Sequence, residues 1–343
     1  MEIHCFTSFS FSYLGKARVF AATLKRFHPD WHLWAVISDR EPAGFSFDIS
    51  NEDFDSVIWG DELFGADTPA WLFKHDVIEF CTAVKGPVFK QIATTTKADK
   101  IFYFDPDIAV FGSLQSLVDM LDSASILLTP HQLEPDDAHY AILDNEICSL
   151  RLGTYNLGFV AMRNDEEGLR FANWWSDRLF SYCYDDPAAG LFVDQKWCDL
   201  VPAFFQGAMI VRDPGCNVAS WNLSRRKVSI DHDGQIFVNG SLLRFFHFTK
   251  LGPTGDFMTR RYAGDNVEIY ELWVWYKHQI RRYEESAVPR GWWKYSKFSN
   301  GVDITRQARL LYRQRGDLQR AFPNPFLAGD GSYSAWLAVN GGC

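Results

Sequence analysis

The stretch KIFYFDPDIAVF (residues 100–111) decides how this chain folds. Its β-branched and aromatic residues run to Phe104. Two carboxylates, Asp105 and Asp107, then flank Pro106, and Ile108-Ala109-Val110-Phe111 follow. The apolar run predicts a buried strand. Pro106 cannot donate to a strand ladder, so it marks the strand's end. In an ideal strand residues i and i+2 share a face. Two acids there repel unless a positive group lies between them. A hard divalent cation, Mg²⁺ or Mn²⁺, is the usual partner of such a pair. A turn that closes the strand with both acids solvated is the plainer alternative, and the motif alone does not separate the two.

The surrounding sequence sets the architecture. Upstream, residues 2–9 and HLWAVISD read as short buried strands, and a further strand is expected at DSVIWG. Between the first two, GKARVFAATLKRF spaces its apolar residues three and four apart, as a helix does, and His28-Pro29 stops it. WLFKHDVIEFCTAVKGPVFKQIATTT predicts two helices interrupted near Gly86-Pro87. Downstream come a helix (SLQSLVDMLDS), strands (SILLTPH, YNLGFVAMR), a long helix (EEGLRFANWWSDRLFSYC) and a hairpin turning at Asp233-Gly234. Alternating strands and helices predict an α/β sandwich with a mostly parallel sheet flanked by helices. Ligands of such sheets bind beyond the carboxyl ends of the strands. Thr7, Ser8, Asp39, Asp105, Asp107 and His131 all fall at predicted strand ends, on one rim.

Composition narrows the function classes. The chain has 343 residues, 47% hydrophobic and 16% aromatic, enough for one large or two moderate globular domains. Its net charge of -9 speaks against a nucleic-acid partner. Cysteines 5, 81, 148, 183, 198, 216 and 343 form no CxxC pair, so a reducing cytoplasm is expected rather than a disulfide framework. The N-terminus lacks the basic and apolar regions of a signal peptide, and no apolar run reaches the ~18 residues of a membrane span. A P-loop, a GxGxxG fingerprint and a GxSxG elbow are all missing.

Asp-x-Asp at the end of an apolar strand resembles the metal-nucleotide motif of GT-A fold glycosyltransferases. Five blocks in order extend the likeness. They are residues 82–114 (TAVKGPVFKQIATTTKADKIFYFDPDIAVFGSL), 153–163 (GTYNLGFVAMR), 191–202 (LFVDQKWCDLVP), 212–223 (RDPGCNVASWNL) and 242–253 (LLRFFHFTKLGP). Together they resemble bacterial retaining family 8 transferases over roughly residues 1–253. The glycine-rich, Arg-containing loop of sugar nucleotidyltransferases is missing.

The resemblance implies a site. Asp105, Asp107 and His247 would hold Mn²⁺ or Mg²⁺ against a nucleotide diphosphate. Thr7 and Ser8 would line the nucleoside pocket, and Lys90 and Lys250 would meet phosphate. Asn156 and Asp194 would hold the donor sugar, with Gln195 nearest its anomeric carbon. Trp221 and Asn222 would form the acceptor side. Each has a plainer reading: His247 packs in an aromatic strand, Asp194-Gln195 caps a helix, Lys90 is a surface lysine. The implied activity is metal-dependent, retaining transfer of a hexose from a nucleotide sugar, expected to be UDP-linked. The acceptor would be a glycan or lipid-linked chain in surface polysaccharide synthesis. A non-catalytic binding relative and a sugar nucleotidyltransferase are the alternatives.

From about residue 254 the texture becomes basic and aromatic. Residues 271–320 carry 11 Lys/Arg against 5 Asp/Glu, a net of +6 that leaves -15 elsewhere. The chain is therefore divided into a catalytic domain, 1–253, and a mainly helical extension, 254–343. The extension is either a helical cover for the core or a surface for anionic lipid at the inner face of the plasma membrane.

Overall fold

The computed structural model describes residues 1–340; Cys343 lies outside the described residues. In chain order the strands are β1 (Ile3–Phe9), β2 (His32–Ile37), β3 (Ser56–Trp59), β4 (Lys100–Phe104), β5 (Ile108–Val110), β6 (Ile126–Pro130), β7 (Tyr155–Arg163), β8 (Asp185–Asp186), β9 (Leu191–Phe192), β10 (Ala208–Ile210), β11 (Val228–Ile230), β12 (Ile236–Val238), β13 (Ser241–Leu242) and β14 (Phe245–His247). The helices are α1 (Leu14–Phe27), α2 (Thr68–Phe73), α3 (Val77–Ala83), α4 (Lys85–Thr95), α5 (Gln115–Met120), α6 (His139–Ala141), α7 (Ile147–Leu152), α8 (Glu166–Tyr182), α9 (Val201–Phe204), α10 (Pro253–Ala263), α11 (Val267–Tyr283), α12 (Arg306–Gln314), α13 (Gly316–Ala321) and α14 (Tyr333–Asn340).

The expected α/β architecture is present. A seven-stranded sheet runs in the order β10-β6-β7-β4-β1-β2-β3. All its pairings are parallel except those of β7, which runs antiparallel to both β4 and β6. Alternation along the buried strands feeds two cores. Phe6, Ile101, Tyr103, Val160 and Met162 pack with α3, α4 and α8 on one face. Cys5, Phe9, Phe102, Phe104, Phe159 and Ala161 pack with α1 and α5 on the other.

Two sequence expectations are corrected. The helical segment 71–96 is broken at Lys74–Asp76, where Asp76 caps α3 in a reciprocal arrangement with Glu79, and again at Val84. The second break is the one expected near Gly86-Pro87, which themselves sit in the first turn of α4. Proline is tolerated there because its missing N–H would have no intrahelical partner. Gly86 is needed for packing, since a Cβ would lie 2.7 Å from the backbone nitrogen of Ser176 on α8. The second correction concerns the acids. β4 ends at Phe104, and Asp105-Pro106-Asp107 form a turn closed by the Ile108 N–H donating to the Asp105 carbonyl at 3.1 Å. They do not share a strand face.

The C-terminal segment is helical and well packed. Ile269, Leu272, Trp273 and Tyr276 of α11 are buried with Phe246 and Phe248. Phe298, Tyr312, Leu318 and Tyr333 close over Phe73. Arg281, Arg282 and Arg290 are exposed. No described helix is long and apolar enough to cross a membrane, and the six described cysteines are unbridged.

This closure buries His75 completely, with its Nδ1 facing the Trp71 carbonyl at 2.9 Å. Burial, aided by the charges of Arg313, Lys74 and Arg309, pushes its pKa down from 6.5 to about 3. The folded state therefore refuses a proton that the unfolded chain accepts below pH 6.5. The associated stability is complete above that pH and is lost as pH falls toward 3. Between pH 6.5 and 5 the loss should be about 2 kcal/mol. Urea unfolding across that range checks it, with His75→Gln giving a flatter profile; parallel profiles for the two proteins would refute it.

Candidate active site

The site forms because β5 leaves the main sheet and pairs antiparallel with β14, setting His247 opposite Ile108. The Phe248 N–H donates to the Asp107 carbonyl at 2.8 Å and fixes the register. β7 runs antiparallel, so its first residues, not its last, reach the same rim. The Asp105 N–H donates to the Gly158 carbonyl at 2.8 Å, which ties the turn to β7. Gly158 has no substitute there: a Cβ would lie 2.4 Å from His247 Cε1 and 2.8 Å from Asn156 Oδ1.

Asp105, Asp107 and His247 each present one ligand atom, all within 4.8 Å of one another. His247 Nε2 lies 3.0 Å from Asp107 Oδ1 and 3.6 Å from Asp105 Oδ2. The other ring nitrogen settles the proton. Asn156 Oδ1 accepts from the Gly158 N–H at 3.1 Å and from Asn217 Nδ2 at 3.0 Å, so it is an acceptor. His247 Nδ1, 3.2 Å from it, must donate. The neutral imidazole then points a lone pair at two carboxylates. Three acceptors meeting in a buried corner require a cation or a second imidazole proton. Two carboxylates and an imidazole whose far nitrogen is already held are a donor set that fits a divalent transition metal or Mg²⁺. Burial opposes ionisation of Asp107, but His247, when its ring carries the second proton, and then Lys16, at 3.7 Å, outweigh it and hold the acid below the usual carboxylate range.

A second charged group lies behind the first. Lys85 of α4 is buried and its ammonium sits 3.2 Å from Asp105 Oδ1 and 2.7 Å from Asp194 Oδ2, and it donates to the Leu157 carbonyl at 2.9 Å. The contact with Asp194 is an ion pair rather than a well-aligned hydrogen bond, because that oxygen has no partner of good angular geometry. Burial raises the Asp194 pKa and Lys85 only partly offsets it. The lysine stays charged because Asp105 and Asp194 together outweigh its own burial. Tyr103 completes the cluster, its hydroxyl donating to Asp105 Oδ1 at 2.5 Å.

The remaining residues singled out in the sequence are distributed as follows. Asn156 is in the cluster. Gln195 is beside it on the 153–157 side, donating from Nε2 to the Leu152 carbonyl at 3.0 Å. Trp221 meets the His247 ring edge-on at 5.3 Å between centroids. Asn222 donates to the His131 and Asn217 carbonyls at 3.2 and 3.0 Å. Thr7 and Ser8 lie inside β1, which continues to Phe9. Thr7 Oγ1 is buried without a partner, while Ser8 Oγ reaches Ser38 Oγ at 3.2 Å. Lys250 is exposed at φ 53°, after β14. Lys90 is exposed on α4 and is not among the groups around Asp105; Lys85 is. Lys85, Val88, Phe89 and Ile92 form the buried stripe of α4, at helical spacing. A lysine inside an apolar stripe was the available signal. Asn217, at φ 53°, and Gly158 carried none that sequence could expose.

No protein-family model matches the chain. It is 26% identical over 177 residues to the uncharacterized protein YfnF of Bacillus subtilis (strain 168), which covers 51% of this chain and 57% of that protein. YfnD of the same strain is 26% identical over 174 residues, 50% of this chain and 53% of that one. The aligned part thus spans little more than half the length of these curated relatives. Among solved structures, the galactosyltransferase LgtC in complex with donor and acceptor sugar analogs is similar over 84% of this chain and 98% of that one, at 14% identity and a TM-score of 0.47.

Proposed function

We propose that this chain is a glycosyltransferase that moves a hexose from a nucleotide-sugar donor, UDP-linked, to a glycan or lipid-linked acceptor. We propose further that it does so with a divalent cation on Asp105, Asp107 and His247 and with retention of configuration. One observation carries the reading: an imidazole nitrogen and two carboxylates converge within 4.8 Å at the carboxyl rim of a mostly parallel sheet. A bound cation would supply Lewis-acid stabilisation of charge on the departing diphosphate. The chain's own residues do the rest. Asn156 and Asn217 hold the imidazole in its ligating tautomer. Lys85 places one positive charge between Asp105 and Asp194. Asp194 and Gln195 are assigned to the donor sugar, and Trp221 and Asn222 to the acceptor side. Thr7, Ser8 and Lys250 are assigned to the nucleotide. The unbridged cysteines suit a reducing cytoplasm. Residues 1–253 would hold all these groups, and 254–343 would brace them. Trp273 and Tyr276 of α11 are buried in a core and Tyr270, Trp275 and Tyr283 pack against it, which supports a helical cover as the main role of this segment.

The test is a panel of nucleotide sugars screened by thermal unfolding. One UDP-sugar with Mn²⁺ should raise the melting temperature by several degrees, since a ligand that binds only the folded state stabilises it. EDTA should abolish the shift, and the same donor should be slowly hydrolysed. Stabilisation unaffected by EDTA, without hydrolysis, would favour a binding-only relative. Pyrophosphate release from NTP plus sugar phosphate would favour a nucleotidyltransferase.

A further inference from the structure

Beside the site, beyond the ends of β6 and β10, lies a cavity of about 340 Å³ whose walls include Gln132, Arg212, Asn222, Ser224 and Arg226. That is the size range of small-ligand sites. It adjoins the cluster already described: Asn222 holds the His131 carbonyl, and its neighbour Trp221 packs on His247.

The charges of this cavity are unbalanced. Arg226 is only 5% exposed. Its Nη1 donates to the carbonyls of Pro214 and Cys216 at 3.0 and 2.7 Å. Among the described residues no other guanidinium donor of Arg226 has a protein acceptor, and no carboxylate lies within ion-pair distance. Arg212, exposed, also has no carboxylate partner among the described residues. Arg225, in contrast, is taken up by Asp137 at 2.7 Å and Asp136 at 3.5 Å, neither of which lines the cavity. The one acid of the lining, Glu134, is exposed. Ser224 Oγ is buried with no hydrogen-bond partner.

Asp213, paired with Arg244 at 3.6 Å, offsets the burial of Arg226 only in part and from beyond ion-pair distance; a buried guanidinium with no directly paired acid is costly. Burial accordingly lowers the Arg226 pKa to about 10. A neutral sugar hydroxyl does not cancel that charge, whereas a carboxylate or phosphate oxygen pair matches the guanidinium fork. We propose that this cavity is the acceptor subsite and takes an acceptor glycan bearing an oxyanion, carboxylate or phosphate, on Arg226 with Arg212 at its mouth. The acceptor role rests on the glycosyl-transfer reading; the oxyanion site does not.

Calorimetric titration of the full chain, without donor or metal, tests this with three probes: a methyl hexuronide, a hexose 6-phosphate and the neutral methyl hexoside. One charged probe should bind at least about tenfold more tightly than the neutral one, the worth of a charge-assisted hydrogen bond. Which of the two binds identifies the oxyanion. Arg212→Gln, at an exposed position that leaves the fold intact, should weaken the charged probe about fivefold or more and leave the neutral one unchanged. Equal affinities for charged and neutral probes, no binding of either charged probe, or indifference to Arg212→Gln would each overturn the proposal. Mn²⁺-dependent stabilisation by a nucleotide sugar, measured on the same preparation, separates the two readings. If it persists while the charged probes fail, only the subsite is wrong. If it is absent while they bind, the acceptor role falls.

Discussion

Asp107→Ala should lower turnover by at least about two orders of magnitude, the scale at which a single group that stabilises developing charge is felt. It should also remove the Mn²⁺-dependent rise in melting temperature. The two effects share a cause. Asp107 Oδ1 is the nearest carboxylate oxygen to His247 Nε2, at 3.0 Å, so without it the imidazole keeps one weak partner, Asp105 Oδ2 at 3.6 Å. Asp107 reaches the site from a turn and takes no part in either core, so far-UV circular dichroism should stay as in wild type. The measurement is a metal titration of melting temperature beside steady-state turnover at saturating metal. Wild-type turnover in a folded Asp107→Ala protein would remove the cation from the mechanism and the proposed function with it.

Much of this arrangement was legible in the sequence because it depends on short-range rules. β1, β2, β4, β7 and α8 follow from uninterrupted apolar runs and helical spacing, which burial on two faces of a sheet enforces. The acids could be placed on the rim because strands of α/β sheets end there. What sequence did not disclose depends on long-range pairing. That β5 leaves the main sheet to pair with β14 is a contact between residues well over a hundred positions apart, and it alone brings His247 to Asp107. The placement of Asp105 and Asp107 on one strand face failed for a related reason: Pro106 ends the strand one residue earlier, and a turn does the converging. Lys85 was overlooked in favour of Lys90 because a lysine in an apolar stripe reads as a surface residue until the stripe is drawn on the helix. The break expected near Gly86-Pro87 is found at Val84, where Pro87 has no N–H to continue the ladder to Ala83; the earlier break at Asp76 was missed because its signal is a cap formed with Glu79 rather than a glycine or proline.

Lys85 is also where the second large effect is expected. Lys85→Met preserves the length and the apolar stem of the side chain and removes only the ammonium. Asp194, whose side chain is 3% exposed, then loses the ammonium that offsets its burial, and Asp105 loses a partner on its Oδ1 side. Deleting one member of a buried ion pair leaves an uncompensated charge, and the expected loss of stability at pH 7 is about 3 to 5 kcal/mol. The pH dependence identifies the cause. The Asp194 pKa is already raised by burial in the wild type, and removing Lys85 raises it further. A carboxyl whose folded pKa lies above its unfolded value destabilises increasingly as pH rises through that interval. The gap between wild type and Lys85→Met should therefore narrow as pH falls from 7 toward 5. The double variant Lys85→Met/Asp194→Asn should recover most of the loss at pH 7, because neither side chain then carries a charge that needs cancelling. Chemical denaturation of the four proteins of this cycle at two pH values measures all of it. A gap that stays constant with pH, or a double variant no more stable than Lys85→Met, would mean that the lysine acts through packing against α8 and the sheet. The shared ammonium would then not be what lets Asp194 be buried beside Asp105.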